Sequence, residues 1–354
     1  MKKELLMGTA LVSTLGAASV AQAVSYTMSG NHQTGLEFDS PSGSSDTSAQ
    51  VNDNNFSIAL SETTDGGMTI SSSFSIVNES SASSSLGTSD MDAGFSLAFD
   101  GGTTLDVLNA GNASGGHAIS VPGSAGAETV AVATTNAAST GLDFMTGSSV
   151  HGVEFHTASD FLADGLKMSF SASTDNGAAA ATTYRVDSHF ALGATYVTDL
   201  GDSAVTIGGG YSASEGSKTS TAVTSEDGGF HVGLSAVTGD LTVAIGFADG
   251  DRNALGTTES TMSYAGEVTK IGVKYVSGDL TFNVGVAAAE GKDNAAGATG
   301  GSDDSKDTTS ASVSYAVASG VTAILGYTSM DAINDGASNK GDGSSWYIGA
   351  NMSF

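Results

Sequence analysis

The chain has 354 residues, with 11 basic and 38 acidic side chains, and its net charge of −27 at neutral pH excludes a nucleic-acid groove. With 48 glycines, two prolines, no cysteine, 39 % hydrophobic and 7 % aromatic residues, it has less material for a packed core than a soluble enzyme of this length needs. A mean hydropathy of +0.04 also separates it from charge-rich disordered chains and from helical membrane proteins.

Lys2 and Lys3 precede an apolar stretch from Leu5 to Val20 that closes on Ala21-Gln22-Ala23. A basic start, a short apolar run and a small-residue finish predict a secretory signal peptide over 1–23, cleaved after Ala23. The run is too short and too broken by Gly and Ser for a stable membrane span. Its removal leaves 9 basic and 37 acidic residues, a net −28, on a single mature domain, 24–354. With no cysteine, an exported chain of this kind is not stapled by disulfides.

From Val24 onward apolar and small polar residues alternate, as in strands with two unlike faces. In chain order the pattern predicts strands at 24–38, 52–62, 67–79, 91–99, 103–109, 149–159, 166–174, 184–197, 203–213, 228–237, 241–249, 264–276, 280–289, 308–318, 321–330 and 344–354. Phe282, Val284 and Val286 show the apolar face of one of them, and Leu325 with Tyr327 that of another. The connections alternate between long segments, such as 110–148 and 250–263, and short turns such as Asp100-Gly101-Gly102 and Ser277-Gly278-Asp279. Long loops therefore lie at one end and tight turns at the other. An even strand number lets the first and last strands pair and remove the sheet edge.

The polar face consists of small, mostly neutral residues, which suits a wet lumen, and the apolar face suits lipid. A closed barrel is the one sheet whose backbone groups are all satisfied in a bilayer. The fold class is thus all-β: a transmembrane antiparallel β-barrel of about 16 strands. At the C-terminus Trp346, Ile348, Ala350, Met352 and Phe354 alternate to a terminal phenylalanine, and this ending resembles the sorting signal of outer-membrane barrels.

The start Ser25-Tyr26-Thr27-Met28-Ser29-Gly30 with Thr34-Gly35-Leu36, the hairpin from Phe56 to Ile70, and the ending Trp346 to Phe354 resemble a general outer-membrane porin of the alphaproteobacterial type. The resemblance implies a trimer, an outer-membrane location in a Gram-negative cell, insertion by the barrel-assembly machinery, and a third long loop folded inward to narrow the pore. Segment 110–148, after the fifth strand, occupies the position of that constriction loop.

No G-x-S-x-G or H-E-x-x-H motif is present, so no catalytic residues are expected and the chain is not read as an enzyme. His151 and His156, five apart on a strand, point to opposite faces, and no metal site or cofactor is expected. Weak calcium between acidic loops is kept as a secondary reading for Asp249-x-Asp251-x-Asn253 and for Asp303 and Asp304.

By strand phase, Glu154, His156, Lys167, Arg185, Asp187, His189, Lys270 and Lys274 face the lumen, with Glu128 and Asp143 of segment 110–148 opposite them. The family's pattern sets wall arginines against loop carboxylates; here Arg185 alone is available, because Arg252 falls in the expected loop 250–263. His32 shares the outward face of the first strand with Tyr26, Met28, Leu36 and Phe38, which marks it for a protein interface. The leading reading is a passive, mildly cation-preferring channel for small hydrophilic solutes. The alternatives are a substrate-selective channel of the same architecture and a surface adhesin or receptor barrel acting through its long acidic loops.

Overall fold

A computed structural model of the chain describes residues 24–42, 45–80, 94–108, 112–123, 152–174, 185–217, 224–254, 262–293, 302–334 and 339–354. The segment 1–23, expected to be a signal peptide, lies outside the described residues. The strands are β1 (Ser25–Pro41), β2 (Thr47–Thr63), β3 (Thr69–Ser80), β4 (Phe95–Ala98), β5 (Thr104–Val107), β6 (Gly152–His156), β7 (Leu166–Thr174) and β8 (Arg185–Leu200). They continue as β9 (Ser203–Ser217), β10 (Thr224–Thr238), β11 (Leu241–Ala254), β12 (Met262–Ser277), β13 (Leu280–Asp293), β14 (Ser302–Ala318), β15 (Val321–Asn334) and β16 (Asn339–Ser353). Each strand pairs with its sequence neighbours and β1 pairs with β16, so the sheet is a closed antiparallel barrel.

The two faces follow the alternation. On β12, Ile271, Val273 and Tyr275 are exposed outward while Val268 and Gly272 are buried; on β13, Phe282, Val284 and Val286 point out. In water such a surface would be unstable, whereas in a bilayer it is the lipid contact, and closure leaves no edge with unpaired backbone.

The seam between β1 and β16 ends at a glycine. Gly30 and Phe354 exchange both backbone hydrogen bonds at 3.1 Å. A Cβ on Gly30 would stand 2.8 Å from the Phe354 ring, so the bare position leaves room for that ring, which is tilted 33° to Phe56 with centroids 6.4 Å apart. Trp346, Ile348, Met352 and Phe354 all sit on the outward, exposed face of the last strand or just beyond it. At the tight end, Gly239 and Gly278 supply the positive φ, 56° and 59°, that two-residue turns require.

Several strands run beyond the bounds expected from alternation. β2 begins at Thr47, β11 continues to Ala254, β14 begins at Ser302 and β16 at Asn339. Past the lipid the outer face is wet, so the apolar alternation ends while the hydrogen-bond ladder continues. Three expectations are corrected as a result. Arg252 is a strand residue paired with Tyr264 and Asp227, not a loop residue. Asp249, Asp251 and Asn253 lie in extended β11, and Asp303 with Asp304 in β14, not in loops. In contrast β4, β5 and β6 are shorter than expected, at four, four and five residues.

Candidate functional site

The chain leaves the wall after β5 at Leu108, whose φ of 58° is the one positive value among non-glycine described residues. Residues 112–123 then run along the inner wall. Ser171 Oγ of β7 accepts from the Ala113 N–H at 3.1 Å, and His231 Nε2 of β10 donates to the Ser114 carbonyl at 2.8 Å. A short 3-10 turn, Gly115–His117, follows. Ala118 and Val121 pack on Ala248, Val268 and Ala289 of β11, β12 and β13, and Ser312 Oγ of β14 donates to the Gly123 carbonyl at 3.3 Å. A single stretch of twelve residues thus touches wall elements from β7 to β14.

The wall is shaped for it. A Cβ at Gly272 or Gly285 would collide with the Pro122 carbonyl oxygen, so the segment reaches the sheet only because these two positions carry no side chain. The small residues that the alternation places inward therefore serve as the floor on which the segment lies, and they do more than keep the lumen polar.

His117 anchors the turn. Its Nδ1 is 2.6 Å from Thr195 Oγ1 and its Nε2 is 2.7 Å from Ser169 Oγ. The same Ser169 hydroxyl is 2.7 Å from His156 Nδ1, and His156 Nε2 lies 3.2 Å from Asp106 Oδ2 and 3.6 Å from Glu154 Oε1. A chain of polar groups thus links Thr195, His117, Ser169, His156 and the two carboxylates. Burial, aided by the nearby Lys167, His156 and His231, pushes His117 down to about 4, so it is neutral at pH 7 and one ring nitrogen donates while the other accepts.

Of the residues expected in the lumen, Glu154, His156, Lys167, His189, Lys270 and Lys274 lie on the inward phase of β6, β7, β8 and β12. Glu154 and His156 are brought together with Asp106; Lys270 and Lys274 stand on β12 on either side of Gly272, the position under Pro122. Arg185 and Asp187 belong to β8, where a bulge between Val186 and Ser188 breaks the every-second-residue count: Arg185 pairs with Ser217 while His189 pairs with Ser214. Their side chains, together with Glu128, Asp143 and His151, lie outside the described residues. His32 is on the outward face, where its Nδ1 meets Asn54 Oδ1; beside it Thr34 Oγ1 donates to Asn52 Oδ1 at 2.9 Å.

Sequence reasoning missed Asp106, His117, Ser169 and His231. Asp106 was legible, since it alternates with Leu105 and Val107 on a strand. His117 and His231 meet other elements across 52 and 117 residues, and no local pattern carries that.

The closed barrel is the fold of solved outer-membrane porins and channels. Solved structures of that fold superimpose along nearly the whole chain. The outer membrane channel DcaP of Acinetobacter baumannii matches with a TM-score of 0.64 at 11 % identity, covering 94 % of this chain and 97 % of its own. The anion-selective porin from Comamonas acidovorans matches at 0.60 and 11 %, covering 94 % and 100 %. OmpT of Vibrio cholerae, an outer membrane protein in its trimer form, matches at 0.60 and 13 %, again covering 94 % and 100 %. These neighbours do not single out the alphaproteobacterial type. No family model and no curated protein sequence matches the chain.

Proposed function

We propose that the protein is a porin of the Gram-negative outer membrane, a water-filled channel through which small hydrophilic solutes and ions diffuse passively. The observation that carries this reading is segment 112–123, seated inside the barrel on a floor of glycine, serine and histidine from β7 to β14. A barrel built only to display surface loops has no need of such a floor, whereas a channel uses it to set the width of its aqueous path. The inward polar residues and the outward apolar ones give that path water on one side and lipid on the other.

The export signal over 1–23 and the C-terminal Trp346, Ile348, Met352 and Phe354 fit delivery to the outer membrane and insertion by the barrel-assembly machinery. A homotrimer is supported by the outward His32, Thr34, Asn52 and Asn54, which form a polar patch between the apolar Met28 and Leu36. Lipid cannot hydrogen-bond to such a patch, and a protein neighbour can. The mature charge of −28 favours cations at low ionic strength, where the field of the acidic chain reaches the mouth.

Planar-bilayer recording of the purified protein tests the reading. Stable ohmic steps with a reversal potential that favours cations at low salt, and less so at high salt, are expected. A silent bilayer would remove the channel, and clear anion preference would remove the stated selectivity.

A further inference from the structure

Asp106 of β5 and Glu154 and His156 of β6 stand on adjacent strands, with Asp106 and Glu154 directly paired and all three side chains on the lumen face. One donor atom from each, Asp106 Oδ2, Glu154 Oε1 and His156 Nε2, lies within 4.8 Å of the other two. We propose that these three atoms form a binding site for a divalent transition metal of the zinc class, on the pore wall beside the anchored turn at His117.

The outer hydrogen bonds distinguish this group from an ordinary carboxylate–histidine pair. Metal-binding histidines are held by a partner on the other ring nitrogen, and here Ser169 Oγ lies 2.7 Å from His156 Nδ1. Asp106 is likewise held through its other oxygen, Oδ1, by Ser96 Oγ. Both supports point the remaining donor atoms at one another.

The hydroxyls also make a change of ligand easy. With no metal, protons run one way along the chain: Thr195 O–H to His117 Nδ1, His117 Nε2–H to Ser169, Ser169 O–H to His156 Nδ1, and His156 Nε2–H to Asp106. A metal on His156 Nε2 requires the opposite tautomer. His156 Nδ1–H then donates to Ser169, Ser169 to His117 Nε2, and His117 Nδ1–H to Thr195. The three links through Thr195 and Ser169 survive with their direction reversed, because each hydroxyl can donate or accept, and the metal takes the place of the His156 Nε2–H bond to Asp106. The anchor of the inward segment is kept in both states.

One imidazole nitrogen and two carboxylates suit zinc better than calcium, which takes six to eight oxygens. Asp106 and His156 retain 17 % and 23 % side-chain exposure, so lumen water can complete a four-coordinate shell.

The inference does not depend on the channel reading, because binding is measured without any current. Calorimetry of the folded barrel in detergent at pH 7 should show one zinc per chain, with calcium at the same concentration failing to compete. His156→Asn, and separately Asp106→Asn with Glu154→Gln, should each weaken zinc at least tenfold while heat-modifiable migration shows the barrel folded. Equal affinity in wild type and a folded variant would overturn the site. Crystals of wild-type protein soaked in zinc give a check that needs no variant: an anomalous peak among the three side chains supports the proposal, and a peak only elsewhere, or none, overturns it.

Discussion

Two polar patches of similar composition lie on opposite faces of this barrel. The inner one, Ser169, Ser171, Thr195 and His231, is covered by residues 112–123 and hydrogen-bonds to that segment, Ser169 also meeting His156 of the wall. The outer one, His32, Thr34, Asn52 and Asn54, bonds within itself and interrupts an otherwise apolar face between Met28 and Leu36. The contrast shows what a polar patch on a barrel strand means. Alternation fixes which way a side chain points, and the chemistry of the patch reveals what must cover it. Inside, the cover is the chain's own loop. Outside, where lipid offers no hydrogen-bonding partner, the proposed cover is a second protein surface.

The strongest way to break this comparison is to make the outer patch apolar. His32→Leu with Asn54→Leu would suit lipid better, so a monomer would melt at the same or a higher temperature. If the patch is an interface, the facing groups lose partners at about 1–3 kcal/mol for each copy, and the oligomer should dissociate at lower temperature on native gels.

Acid is the next lever, through His117 over the inner patch. A free His117 would take a proton near its ordinary 6.5, whereas the docked one stays neutral until about 4. Docking of the segment is therefore complete above pH 6.5 and loses stability, on the order of a few kcal/mol, as pH falls towards 4; below that it loses no more. Single-channel records should show growing open-state noise or larger steps across that window, and His117→Gln should remove the dependence.

The mildest test fills the floor. Gly272→Leu would push the Pro122 carbonyl off the wall at a cost of about 1–3 kcal/mol, leaving the barrel folded but its inner segment displaced. A crystal structure or a change in unitary conductance reads this directly; an unchanged Pro122 position would show that the glycine is not needed there.

Much of this was legible in the chain. The strand count, the pairing of first and last strands, and the inward phase of Lys167, Lys270 and Lys274 all follow from alternation, because one wet face and one lipid face impose a period of two. What alternation cannot carry was lost. Strand ends beyond the lipid, such as 250–254 and 302–307, have water outside as well as inside and show no apolar period. The bulge at Asp187 shifts the phase without any local sign in the sequence. The His117–Ser169–His156 chain joins a loop to two strands through side chains far apart in sequence, and its parts look like ordinary polar residues until the loop is seen against the wall.

The central claim is that residues 112–123 set the width of a water-filled path. The direct measurement is single-channel conductance of wild-type protein against a variant lacking 112–123, both in the same planar bilayer and salt. Because current scales with the open cross-section, the deletion should raise the unitary conductance about twofold or more, with the barrel still heat-modifiable. Equal conductance in the two folded proteins would contradict the account, since the segment would then lie outside the conducting path.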